Sequence, residues 1–237
     1  MLGLLTFTLL GLFAALPARG SEPRIYLSSH APYGHAGADS SLVWAKGDTS
    51  RVDTLYLTFD PGRACSTFVA MTAKVWIHAL GEDSLSAFWA AGEKQSPPPW
   101  IKVEYGRGAG WDPPFPWQDF GTGVAGYARP SPRAGLLVFA YAVAAGSRTR
   151  VAAGQPYSFA RVILTRPAAG TTGRDHPVCF EWLEAGLSFS LRESGKAGDG
   201  ARYVGLNAAA GSYGCDTSPE SPARPATHGV WKPPRGK

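Results

Sequence analysis

The chain has 237 residues, 44% of them hydrophobic and 17% charged, a composition that excludes a disordered protein and leaves enough apolar material for a sizeable core. Its formal charge of +5 comes from 23 Lys and Arg against 18 Asp and Glu, with part of the excess at Arg224, Lys232, Arg235 and Lys237. So mild a surplus, with no Lys/Arg run beside stacking aromatics, excludes a nucleic-acid footprint. Gly and Pro, 29 and 20 in number, favour many turns over long helices while staying below the roughly 25–30% that marks low complexity.

Residues 1–20, MLGLLTFTLLGLFAALPARG, are an apolar run with a small-residue exit. Ala18 and Gly20 suit a cleavage site, so the run predicts a cleaved export signal with Ser21 as the mature start. The run is shorter than the roughly 20 apolar residues that span a bilayer, and no other segment approaches that length. No Lys or Arg precedes the apolar core, which makes an uncleaved N-terminal anchor the alternative. A secreted or cell-surface location with no membrane span after cleavage is the expectation.

Export permits disulfides, and three cysteines allow one internal bridge at most. Cys179 with Cys215 is the expected pair, because Cys215 lies just before a tail that a bridge to a strand would tie down. The alternative is three small buried hydrophobes. Zinc is disfavoured, since the chain holds no Cys-x-x-Cys.

Arg24–Ser28 is the first strand candidate. In the loop that follows, His30, His35 and Asp39 could hold a metal only if the loop curled around it, and the expectation is that no metal binds. Arg51–Asp60 alternates cleanly, Leu55, Leu57 and Phe59 against Thr54, Tyr56 and Thr58, and Pro61-Gly62 ends it. Ala70–Leu80 sets Ala73, Val75, Ile77 and Ala79 against Lys74, Trp76 and His78. Trp76 and His78 are thus neighbours on an outer face, either part of a ligand surface or covered by a loop. Leu85–Ala90 reads as a shorter strand.

The segment 96–120 is rich in Pro and Gly yet carries Trp100, Tyr105, Trp111, Phe115 and Trp117. Only Trp100–Tyr105 reads as a strand; the rest is a long loop. Prolines stiffen such a loop, so its aromatics would lose little entropy on meeting a flat sugar face. Trp100, Tyr105, Trp111 and Trp117, with Trp76, are the candidate ligand-binding residues. The competing reading folds these rings down as a lid over one end of the core. Residues 106–110, GRGAG, lack the following helix start that a phosphate cradle needs.

Residues 121–135 read as a connector. Leu136–Val143 is apolar on both faces, and Tyr157–Thr165 alternates, with Arg161 directed to a carboxylate or to solvent. These two strand candidates, LLVFAYAV and PYSFARVILT, are the densest in β-branched and aromatic residues, and the shorter strands are expected to pack on them. Val178–Leu183 and Leu187–Arg192 look like a hairpin turning at Glu184-Ala185-Gly186, and Arg202–Asn207 is the last candidate. Residues 216–237 read as a disordered, Pro-rich basic tail or a linker to the cell surface.

About eight to ten short strands with turn signals between them argue for an all-β, single antiparallel β-sandwich over residues 21–215. VAAGQPYSFARVIL following LLVFAYAV resembles the late strands of cohesin-like and related carbohydrate-module sandwiches of bacterial surface proteins. The wording LYLTFDPGR, AKVWIHALGEDSLSAFW and CFEWLEA is similar to a group of uncharacterised exported bacterial proteins. The first likeness implies a cohesin-like or jelly-roll-like fold; neither brings a binding residue with it. The paired acidic motif of a calcium-binding sandwich is missing, which argues against dockerin-type binding and a structural calcium.

No G-x-S-x-G for a serine hydrolase and no H-E-x-x-H for a zincin occurs, and no cofactor motif is present. A glycosidase needs two facing carboxylates, for which Glu104 and Glu181 are the candidates. The expectation is a secreted, non-enzymatic β-sandwich that binds a polysaccharide or another envelope component through the aromatics of the Pro-rich loop. The alternatives are an exported structural protein without a small ligand and a carboxylate-type glycoside hydrolase.

Overall fold

A computed structural model describes residues 22–36, 38, 41–42, 52–90, 96–106, 112–117, 121–144, 146–166, 171–173, 175–189, 194–197 and 203–206. The leader at 1–20 and the tail at 216–237 lie outside the described residues. Among those described, the structure is predominantly β, and no helix is long and apolar enough to cross a membrane.

A four-stranded sheet runs in the order β1 (Arg24–Ser29), β3 (Val52–Asp60), β10 (Tyr157–Thr165), β6 (Ile101–Glu104), antiparallel throughout. A seven-stranded sheet runs β2 (Ser41–Leu42), β13 (Tyr203–Leu206), β11 (Val178–Ser188), β5 (Ala70–Ala79), β8 (Ala134–Ala142), β7 (Thr122–Ser131), with β12 (Ser194–Ala197) also on β11. It is antiparallel apart from the short β2–β13 pair. Strands β4 (Cys65–Phe68) and β9 (Thr149–Val151) make a separate two-stranded ribbon. Neither large sheet closes into a barrel.

Period-two patterning explains which faces meet. In β3, Leu55, Leu57 and Phe59 are fully buried while Thr54 and Tyr56 are half-buried on the other side. In β5, Met71, Ala73, Val75, Ile77 and Ala79 point inward and Lys74, Trp76 and His78 outward. Each large apolar side chain withdrawn in this way contributes about 1.5–3 kcal/mol. One core draws on both sheets, and Phe159 of β10 stacks on Trp182 of β11 with centroids 6.3 Å apart.

The two densest strands lie in different sheets, β8 in the seven-stranded one and β10 in the four-stranded one. Three expectations change. Leu85–Ala90 is not a strand; Ala87–Ala90 forms one helical turn (α1), closed by Ala90 N–H donating to the Ser86 carbonyl. Phe88 and Trp89 are both buried there, which alternation on a strand facing one core would forbid. The connector at 121–135 contains β7, an edge strand whose small residues and terminal Pro130 hid it, proline being tolerated at sheet edges.

The third concerns 178–192, where the predicted hairpin is absent. β11 runs unbroken from Val178 to Ser188 along β5, with a bulge between Trp182 and Glu184. Phe180 and Trp182 point inward before the bulge and Ala185 and Leu187 after it. An extra residue inverts the parity of a strand. That inversion, read from sequence, imitates a turn.

At Gly123 of β7 an added Cβ would collide with the Tyr105 ring. Tyr105 is itself braced by Tyr141 and Phe159, so it cannot swing clear. Gly123→Ala should therefore cost about 1–3 kcal/mol in a denaturant titration. Gly146→Ala, with nothing within 4 Å of the new methyl, should leave the midpoint unchanged.

Candidate functional site

Of the candidate binding aromatics in the Pro-rich segment, Trp117 is a core residue, 2% exposed. It stacks on Phe68 at 4.7 Å and on Tyr141 at 5.2 Å, and its indole N–H donates to the Phe68 carbonyl. Its ring faces are therefore occupied by protein, which corrects its placement on a ligand surface. Phe115, 7% exposed, meets Trp117 and Tyr141 edge-on.

The prolines explain the burial. Proline offers a carbonyl acceptor and no N–H, so a run of them can be tied down only by donors from elsewhere. Ser158 Oγ donates to the Pro113 carbonyl, Ser158 N–H to Pro114 and Thr149 Oγ1 to Pro116. These bonds lay the segment against β10 and β9 and turn its rings inward.

Trp100 is half-buried and stacks on Phe88 at 4.3 Å. Tyr105 is half-buried, and its hydroxyl donates to the Val124 carbonyl on β7. Burial pushes that phenol well above its ordinary pKa, so it remains a neutral donor. Trp111 lies outside the described residues.

Trp76 is placed differently. It sits on the outward face of the seven-stranded sheet, half-buried, with its ring parallel to that of His78 at 5.7 Å and 9°. Across the pair, Trp76 faces Glu181 on β11 and Leu136 on β8. The His78 and Glu181 side chains meet diagonally, Nε2 to Oε2, at 3.1 Å. A carboxylate oxygen accepts, so the contact suits the tautomer that carries its hydrogen on Nε2. The Glu181 side chain is 7% exposed and that of His78 26%, an unusual depth for a carboxylate on an outward sheet face. Two residue pairs further along, Lys74 bridges to Glu184. On the other flank are the small and aliphatic outward residues of β7 and β8, with Val124 61% exposed and Val138 38%.

The site thus joins a flat pair of rings, hydrogen-bonding groups of both kinds and an aliphatic shelf. Trp76 and His78 were legible as neighbours from alternation. Glu181 was not, because its place beside them depends on the register between strands about one hundred residues apart; the only local signal was a glutamate alternating with Phe180 and Trp182.

Glu104 lies on the outward face of the four-stranded sheet, bonded to Lys102 at 2.7 Å and opposite Arg161. Glu181 lies on the outward face of the other sheet, with the shared core between them. The two candidate catalytic glutamates therefore do not face each other. His35 meets Asp112 at 3.8 Å, and His30 holds a left-handed φ of 62°. Asp39 lies outside the described residues, among which no group of three His, Cys, Asp or Glu side chains is placed to hold a metal. Cys179 is disulfide-bonded and Cys65 is a free thiol. Cys215, the expected partner of Cys179, lies outside the described residues.

The chain matches no protein-family model and no curated protein.

Two measurements check this arrangement. Trp117→Ala should destabilise the protein by about 3–5 kcal/mol by thermal or denaturant unfolding, the cost of emptying a buried indole site. Peptide mapping after thiol alkylation without reductant should label Cys65 and leave Cys179 unlabelled, in a fragment linked to Cys215.

Proposed function

We propose that this chain is an exported, non-enzymatic protein, built as a single antiparallel β-sandwich of the cohesin-like or jelly-roll-like kind, that binds a glycan or another envelope component. The binding surface is the outward face of the seven-stranded sheet around Trp76, in place of the Pro-rich loop. One observation carries the reading: the parallel stack of Trp76 and His78 beside the Glu181 carboxylate. The apolar face of a sugar ring needs a flat aromatic surface, and its hydroxyls need donors and acceptors at the rim. Trp76 supplies the first, while His78, Glu181 and the Lys74–Glu184 pair supply the second. The sandwich reading draws its support from the core that the two large sheets share. Export rests on the leader-like run at 1–20.

A second reading, an exported structural protein with no small ligand, is favoured by the burial of Trp117 and Phe115. The hydrolase reading loses the pair of facing carboxylates it required, since Glu104 and Glu181 occupy different outward faces.

Co-sedimentation separates these readings. The purified chain is expected to pellet with cellulose, chitin or an insoluble cell-wall preparation and to release no reducing sugar. Trp76→Ala should weaken pelleting about tenfold, the loss of one ring contact, in a variant that still unfolds cooperatively. Pelleting with none of these materials supports the structural reading, and release of sugar restores the hydrolase.

A further inference from the structure

We propose that the aliphatic shelf on the outward face of β7 and β8 is a docking surface for this chain's own segment 228–233, HGVWKP, with the Trp231 indole as its anchor. The inference needs the shelf and the Cys179 bridge alone, and it is independent of what the Trp76 face binds.

The shelf follows from pairing and alternation. On β7, Val124, Gly126 and Ala128 point outward, paired with Ala140, Val138 and Leu136 of β8. Tyr127, Leu137 and Phe139, the residues between them, are buried on the inward face. None of the six outward residues carries a charge or a hydrogen-bonding side chain, yet Val124 is 61% exposed and Val138 38%. A sugar's hydroxyls find no side-chain partner here; an apolar side chain needs none. β7 ends its sheet among the described residues, and Gly126 stands between Val124 and Ala128 on its outward face. Glycine leaves the backbone of an edge strand bare, and an aromatic ring laid over it restores the missing packing.

The occupant follows from a tether. The chain has three cysteines, of which Cys65 is a free thiol and Cys179 is disulfide-bonded, so the partner of Cys179 is Cys215. Cys179 is paired with His78 and lies two residues from Glu181, so its side chain shares the outward face that carries the shelf. The bridge fixes residue 215 to that face. By register, Val138 lies four residues along and two strands across from Cys179, and Val124 six along and three across. Usual strand spacings make these separations roughly 17 and 25 Å.

Cys215 and Trp231 lie outside the described residues, but the chain between them sets the reach. Sixteen residues separate Trp231 from Cys215. A chain of that length spans about 20–24 Å by random-coil statistics, and up to about 50 Å as extended polyproline II, so the shelf falls within range. Such a tether holds Trp231 at an effective concentration on the order of millimolar, which a second copy at micromolar concentration cannot match. Within 216–237, Val230 and Trp231 are the only large apolar residues, which makes them the anchor. Leu136 is paired with Trp76, so the docked segment borders the Trp76–His78 stack.

The test places the photoreactive residue p-benzoylphenylalanine at position 231 of the full chain, in place of Trp231. The protein is irradiated at low micromolar concentration and its cross-links are mapped by peptide mass spectrometry. Intramolecular cross-links to residues 122–128 or 136–142 are expected. Val124→Lys together with Val138→Lys should lower their yield about tenfold. Both positions are exposed, so this double variant should still unfold cooperatively. Cross-links that map elsewhere on the chain, cross-links that join two molecules, the absence of any cross-link, or a yield unchanged in the double variant would each overturn the proposal.

Discussion

The pairing of β5 with β11 is the constraint on which the rest of the molecule depends. These strands run side by side through the seven-stranded sheet, from Val178 opposite Ala79 to Ser188 opposite Ala70. The bulge at Leu183 decides what that pairing can present. Without it, alternation from Phe180 and Trp182 would carry Glu184 into the core and Ala185 and Leu187 out to solvent. With it, the aromatic and aliphatic residues of both halves point inward, and Glu181 and Glu184 share the outward face. Glu181 then stands opposite Trp76, and Glu184 opposite Lys74. Bulges commonly re-aim side chains beside functional sites, and here one extra residue sets both the core and the candidate site.

The second organising element is the aromatic cluster at the Pro-rich segment. Phe68, Phe115, Trp117 and Tyr141 surround one another through stacked and edge-on contacts. Such geometries add to the stabilisation that area burial gives. The cluster ties the β4–β9 ribbon, the Pro-rich segment and β8 into one body. The same prolines that suggest an exposed, preorganised binding loop also supply unpaired carbonyls, and Ser158 and Thr149 on the neighbouring strands satisfy them. A loop without amide donors of its own is stable against a sheet that brings hydroxyls to it.

What remains outward differs between the two sheets. The seven-stranded sheet grades from the aliphatic shelf of β7 and β8 to the charged and ring-bearing positions of β5 and β11. The four-stranded sheet carries Tyr26 and Tyr56, Arg161 and the Lys102–Glu104 pair.

The strands that alternate cleanly, β3, β5 and β10, were legible in the sequence because one buried face imposes a period of two on the residues themselves. Their inward and outward sets, including the Trp76–His78 neighbourhood, follow from that local rule. The sequence by itself also determined the predominance of β structure, since Gly, Pro and β-branched residues at short intervals leave no room for long helices. Only the tertiary structure decided that β7 exists, that β11 is one bulged strand, that Glu181 meets His78 and that Trp117 is core. Each of these depends on register or on donors brought from distant parts of the chain. A side chain's neighbour on its own strand is written in the sequence two residues away; its neighbour across the sheet is chosen by the packing of the whole.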